Sequence, residues 1–178
     1  LLLMTAACST DNDVATDQGS QSKPAPLSFS VTDKGFTSSK EGTRATDNGT
    51  STTFEKGDQM GMYVVDGSGK VVAANICLTY DGTSTWSPST LYYYDSSTMS
   101  GYKFFTYFPY QASPTNAPTA AATVSATDAP TFFSSMITTW TSSISTDQSS
   151  KASYTNSDLM IGSGTVGTIK DGMFPISF

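Results

Sequence analysis

Histidine does not occur in the chain, and arginine occurs once, at Arg44. Without imidazole there is no His-based triad, no His-ligated metal and no acid–base group poised near neutral pH. Positive charge is scarce. Nine Lys and Arg stand against fifteen Asp and Glu for a net charge of −6, and only 13% of the 178 residues are charged. No basic patch can form to neutralise a run of phosphates, which makes nucleic acid a poor partner. Cysteine is limited to Cys8 and Cys77, enough for one disulfide. If Cys8 is otherwise engaged, Cys77 is a lone thiol, expected in the core as a small hydrophobe. No apolar run reaches the roughly 20 residues of a membrane-spanning helix. A glycosidase would need two carboxylates about 5 to 9.5 Å apart across a cleft, and nothing in the sequence places such a pair. Neither an enzymatic activity nor a cofactor is expected.

Ser and Thr together supply nearly a third of the residues and aromatics 12%, while long runs of helix formers are missing. Thr, Tyr, Phe and Val suit pleated, half-buried surfaces, and Gly, Asn, Asp and Ser suit turns. The composition is that of an all-β, exported protein. At the front, Leu1-Leu2-Leu3-Met4-Thr5-Ala6-Ala7-Cys8 is a short apolar run leading through small residues to a cysteine. It reads as the end of a lipoprotein signal, with residues 1–7 the remnant of the signal peptide and Cys8 the acylated first residue of the mature chain. Two or more acyl chains give a stable membrane anchor where one gives a marginal one. Residues 8–26 are polar and cannot bury enough surface to offset their ordering entropy, so they are expected to form a flexible tether.

Leu27, Phe29 and Val31 alternate with Ser28 and Ser30, the pattern of a strand with one buried face. A polar loop over 32–53 holds Arg44, and Phe54-Glu55-Lys56-Gly57-Asp58 is a turn signal. Strands are expected over 60–65, 71–74 and 75–80, the first two joined by a hairpin at Asp66-Gly67-Ser68-Gly69. Leu78, Ile76 and Tyr80 share one face, with Cys77 on the other. The strongest core candidate is Tyr102–Phe108, apolar on both faces and stopped by Pro109. Residues 111–131, rich in proline and small side chains, read as a long exposed loop. Periodicity leaves Phe132–Trp140 open between strand and short helix. The final run, Met173–Phe178, stops within a strand-like pattern and reads as continuing beyond it.

Four pieces stand in fixed order: the lipoprotein cysteine, Thr43-Arg44-Ala45, Phe54-x-x-Gly57-Asp58-x-x-Gly61, and Asn156-Ser157-Asp158-Leu159-Met160-Ile161-Gly162. With Tyr107-Phe108-Pro109-Tyr110 among them, the chain resembles the fimbrillin family, the pilus subunits of Bacteroidota, from about Leu27 to Phe178. The resemblance implies a β-sandwich of transthyretin-like topology over 27–178, with a second, similar domain following it. It also implies an outer-membrane lipoprotein exposed at the cell surface and built into a fimbrium. Acidic Asp11 and Asp13 just after Cys8 are similar to the export signal of such lipoproteins. A trypsin-like protease would cut between Arg44 and Ala45, freeing a leader (27–44) whose strand is Leu27, Phe29 and Val31. A strand from another pilus subunit would fill the groove.

Other features have simpler readings. Gly57, Asp58, Asp147 and Asp158 are expected to serve turns. Asn48-Gly49-Thr50 fits an N-glycosylation pattern that carries little weight in a bacterial lipoprotein. Trp86 and Trp140, with Tyr92, Tyr93 and Tyr94, could stack on host or bacterial glycans, which gives the alternative of a glycan-binding surface lipoprotein. Aromatics at this density more often pack the core.

Overall fold

The computed structural model describes residues 23–31, 54–142, 144, 146–147, 149–150, 153 and 156–178. The proposed acylation at Cys8, the cut between Arg44 and Ala45 and the sequon at Asn48 lie outside the described residues. Among those described are eight strands: β1 (Ala25–Ser30), β2 (Gln59–Val65), β3 (Val71–Tyr80), β4 (Trp86–Pro88), β5 (Tyr93–Tyr94), β6 (Lys103–Phe108), β7 (Met160–Val166) and β8 (Phe174–Ser177). Two helices, α1 (Ala129–Phe132) and α2 (Ser134–Ser142), lie between β6 and β7. The strands run in the order β4-β3-β2-β6-β7-β8-β1-β5, and a further pairing of β4 with β1 brings the order back on itself. The body is all-β and closes in a barrel-like arrangement. Pairings are antiparallel except that of β1 with β8, which is parallel.

The centre is β2 beside β6, and both are apolar on both faces because both faces are covered. Met62, Val64, Phe104 and Phe108 point into the closed interior with Leu78, Trp86 and Ile176. Tyr63, Val65, Phe105 and Tyr107 point outward, under Phe132, Phe133, Met136 and Trp140. Phe132–Trp140 is thus helical, and its ambiguous periodicity reflects a short helix pressed on a sheet. Asp128 caps α1 by accepting from Thr131 N at 2.8 Å, with a proline in the first turn, as such helix starts favour. The 111–131 segment is mostly exposed and irregular up to Asp128, as expected, but it is pinned to the body at several points. Ala126 is buried, Ala117, Ala122 and Val124 pack against the outer cluster, and Val71 N donates to Ala122 O at 2.8 Å. Its small residues allow that close approach.

The expected strands at 71–74 and 75–80 are one strand, β3, with an irregularity where Asn75 adopts φ 52° and the register against β2 skips between Met62 and Val64. Leu78, Ile76 and Tyr80 face the interior cluster as expected. Cys77 is only half-buried rather than a core residue. Burial pushes its thiol up from the ordinary value, partly offset by a hydrogen bond with Thr79. The hairpin from Asp66 to Lys70 is tied by Asp66 Oδ1, which accepts from Ser68 N and Lys70 N, each at 2.9 Å.

Candidate functional site

The alternation read at Leu27 and Phe29 extends two residues further back. Ala25, Leu27 and Phe29 are 7%, 4% and 2% exposed, and the residues between them are half-buried. Val31 lies just past the strand and packs partly buried on the same cluster. Sequence reasoning missed Ala25, although alanine between Pro24 and Pro26 continues the period-two pattern.

On one side β1 lies parallel to β8, with Leu27 opposite Phe174 and Phe29 opposite Ile176. On the other it meets β5 at Ala25 and Pro26, and β4 at Phe29, opposite Trp86. Leu27 N donates to Tyr92 O at 2.8 Å, and Phe178 N donates to Ser30 O at 3.1 Å. Ser30 Oγ donates to Ile176 O at 3.4 Å.

Phe29 is the most enclosed of the three. Its ring stacks on Phe178 with centroids 6.5 Å apart and planes at 14°. Phe178 has room because β7 carries glycine there. A Cβ on Gly164 would come within 2.8 Å of Ile176 Cγ2 and 3.0 Å of Phe104 Cβ, and one on Gly162 within 3.3 Å of Phe178 Cβ. Burying Leu27 and Phe29 contributes about 1.5–3 kcal/mol each. The site is a strand-shaped slot in the core, filled by the chain's own N-terminal strand.

At the start of β1 the surface opens into a cleft of about 730 Å³. Pro24, Ala25, Tyr94, Val166, Ile169 and Phe174 supply its apolar lining, with Lys23, Ser96 and Thr168 at the polar rim. Tyr94 packs edge-on against Phe174 at 5.0 Å. Nearby Tyr92 is raised from its ordinary pKa, first by burial and then by the neighbouring Tyr102. No group of three or more metal-ligating side chains is found among the described residues.

Trp86 and Trp140 do not come together. Trp86 is 1% exposed and packs against Phe54 and Tyr80 at 5.0 Å, inside the closed sheet. Trp140, on α2, is 6% exposed and belongs to the outer cluster between the helices and the sheet. Both are core residues, so this pair offers no open ring face to a sugar. The Phe54-to-Gly61 motif is also structural. Phe54 joins Trp86 and Phe108, Gly57 turns the chain at φ 95°, and Asp58 accepts from Glu55 N at 2.8 Å. Gly61 leaves room for the Tyr107 ring. That hydroxyl lies 2.7 Å from Asn75 Oδ1 and accepts from Gln111 N at 3.2 Å.

The body is an all-β module whose strand order β1 closes between β8 and β4. A family model described as fimbrillin-like matches residues 43–178, and the chain belongs to that family. It is 32% identical over 151 residues to a Bacteroides ovatus protein named "Putative fimbrium tip subunit Fim1C", an alignment covering 84% of this chain and 26% of that one. The crystal structure of a fimbrial protein from Bacteroides ovatus superposes with a TM-score of 0.66 and 28% identity, over 88% of this chain and 28% of that one. The chain therefore spans about a quarter of the length of these relatives.

Proposed function

We propose that this chain is part of a structural or adhesive subunit of a cell-surface pilus, assembled by exchange of its N-terminal strand. On this reading Cys8 carries the lipid that anchors the subunit in the outer membrane, and residues 8–26 form the tether. Residues 27–178 form a flattened β-sandwich of the transthyretin-like kind that the family resemblance implies. An arginine-specific protease cuts between Arg44 and Ala45, releasing the leader that contains β1. The strand of another subunit then takes its place in the slot, a case of β-strand addition.

One observation supports this reading above the others. β1 closes the strand order between β8 and β4, and its inward side chains are nearly fully buried in the main core. Losing it leaves an open sheet edge above an apolar groove, which strongly favours pairing with another strand. Arg44 fits the cut because it is the single arginine of the chain. The relative named as a fimbrium tip subunit favours a tip position over a stalk.

The test is to treat the native protein with an arginine-specific protease and read the new N-terminus. Cleavage giving a chain that begins at Ala45, together with a ladder of SDS-resistant oligomers, is the expected result. A protein that stays monomeric after a clean cut at that bond would contradict exchange.

A further inference from the structure

The two ends of β1 are held very differently. At its far end Phe29 lies between Trp86 and Ile176 and stacks on Phe178, while Ser30 O accepts from Phe178 N. At its near end stand Pro24 and Pro26, which have no N–H to give to either neighbour. The inward residue there is only Ala25, which has little side chain to anchor it. Pairing with β5 covers just Ala25 and Pro26. The poorly held end is also where the 730 Å³ cleft opens, with Ile169 53% exposed at its mouth. Tyr94 and Phe174, which wall the cleft, are also the β5 and β8 partners of Ala25 and Leu27.

We propose that this cleft is the entry point for strand replacement: an incoming strand seats an apolar side chain there while β1 is still in place, then displaces β1 from its proline end towards Phe29. The inference rests on the strand-exchange reading and adds where and in what order exchange proceeds. The occupant is the leading end of another subunit's strand, because the cleft runs directly into the β1 slot through Ala25, Tyr94 and Phe174. The incoming strand is expected to carry large apolar residues at the alternating positions preceding the one that replaces Ala25. No bond is made or broken. A gradual exchange avoids baring the whole apolar slot to water at once, the most costly intermediate on a dissociative route.

The test uses the native protein cut by an arginine-specific protease and two peptides carrying a fluorophore at their C-terminus. One copies Lys23–Val31. The other continues its alternation towards the cleft, with leucine at the two inward positions preceding Ala25. Incorporation is followed by stopped-flow anisotropy against peptide concentration. The expected result is that the extended peptide enters at a rate proportional to its concentration, whereas the short one plateaus at the rate of spontaneous β1 release. Ile169→Lys is expected to slow the extended peptide by about tenfold, the worth of one buried apolar side chain. Because Ile169 is largely exposed, the uncut variant should keep the parent's melting temperature.

The same concentration-independent plateau for both peptides would overturn the entry role. So would an extended peptide that binds while native mass spectrometry shows the leader retained, since the cleft would then hold a static partner. Failure of either peptide to enter, with the leader demonstrably cut, would instead remove strand exchange itself.

Discussion

Phe29 occupies the best-enclosed position of β1, against Trp86, Ile176 and the Phe178 ring. Truncating it leaves a cavity that its neighbours on β4 and β8 and the Phe178 ring cannot fill, so Phe29→Ala is expected to cost about 3–5 kcal/mol in urea unfolding of the uncut protein. Gly61 makes the opposite case. It lies beneath the Tyr107 ring and within reach of Asn75 Oδ1, where any Cβ must displace a side chain that is itself hydrogen-bonded. Gly61→Ala is expected to destabilise by about 1–3 kcal/mol through overpacking, read in the same assay. Tyr63, fully covered by Phe132 and Phe133, has its pKa pushed up from 10.0 to about 12, first by burial and then by Tyr110. Its folded value lies above its unfolded one. The stability it contributes is therefore complete below pH 10 and is lost as the pH rises from there to about 12. Melting curves in that window should fall steeply, and less steeply in Tyr63→Phe.

At the scale of elements, much was legible where period and burial agree. β1, β2 and β6 were readable because their alternation or two-sided apolarity follows directly from where they sit, and the Asp66–Lys70 hairpin from its turn residues. The helix over Phe132–Trp140 was not, because Phe132, Phe133, Met136 and Trp140 fit a short strand's content as well as a helix stripe. β3 is one strand where two were expected, because the chain passes through Asn75 at φ 52° as an irregularity within a continuous strand. The slot was half legible. Leu27 and Phe29 announced it, but the aromatic stack with Phe178 depends on pairing between residues about 150 positions apart in sequence, and the room left by Gly162 and Gly164 on the β6–β7 pairing, about 60 apart. Aspartate-centred turns behave as their residue types suggest. Asp66 is held below the ordinary 3.8 first by Ser68's hydroxyl, and Asp81 well below it, first by Thr83 N–H. Both folded values lie below the unfolded ones. Their contribution is present at neutral pH and is lost on acidification below about 4, so amide exchange in the 66–70 and 81–85 turns should quicken there first.

Across the whole molecule, the family gives the architecture its meaning. β1 closes the strand order between β8 and β4 and is followed in sequence by the segment containing Arg44. Cutting one bond there turns an integral part of the core into a bound peptide. Arg44→Gln is therefore expected to leave melting of the uncut protein unchanged while abolishing both leader release and oligomer formation, judged by gel and by N-terminal reading. The core without β1 keeps its central β2–β6 pair and the helical cover on the outer face, so it should remain folded though less stable.

The most direct measurement is the composition of assembled material. Oligomers purified from cleaved native protein are dissociated and weighed by mass spectrometry. Subunits that begin at Ala45 and carry no peptide containing Leu27, Phe29 and Val31 are expected. One such peptide retained for every subunit would mean that the strand never leaves its slot, and would contradict assembly by exchange.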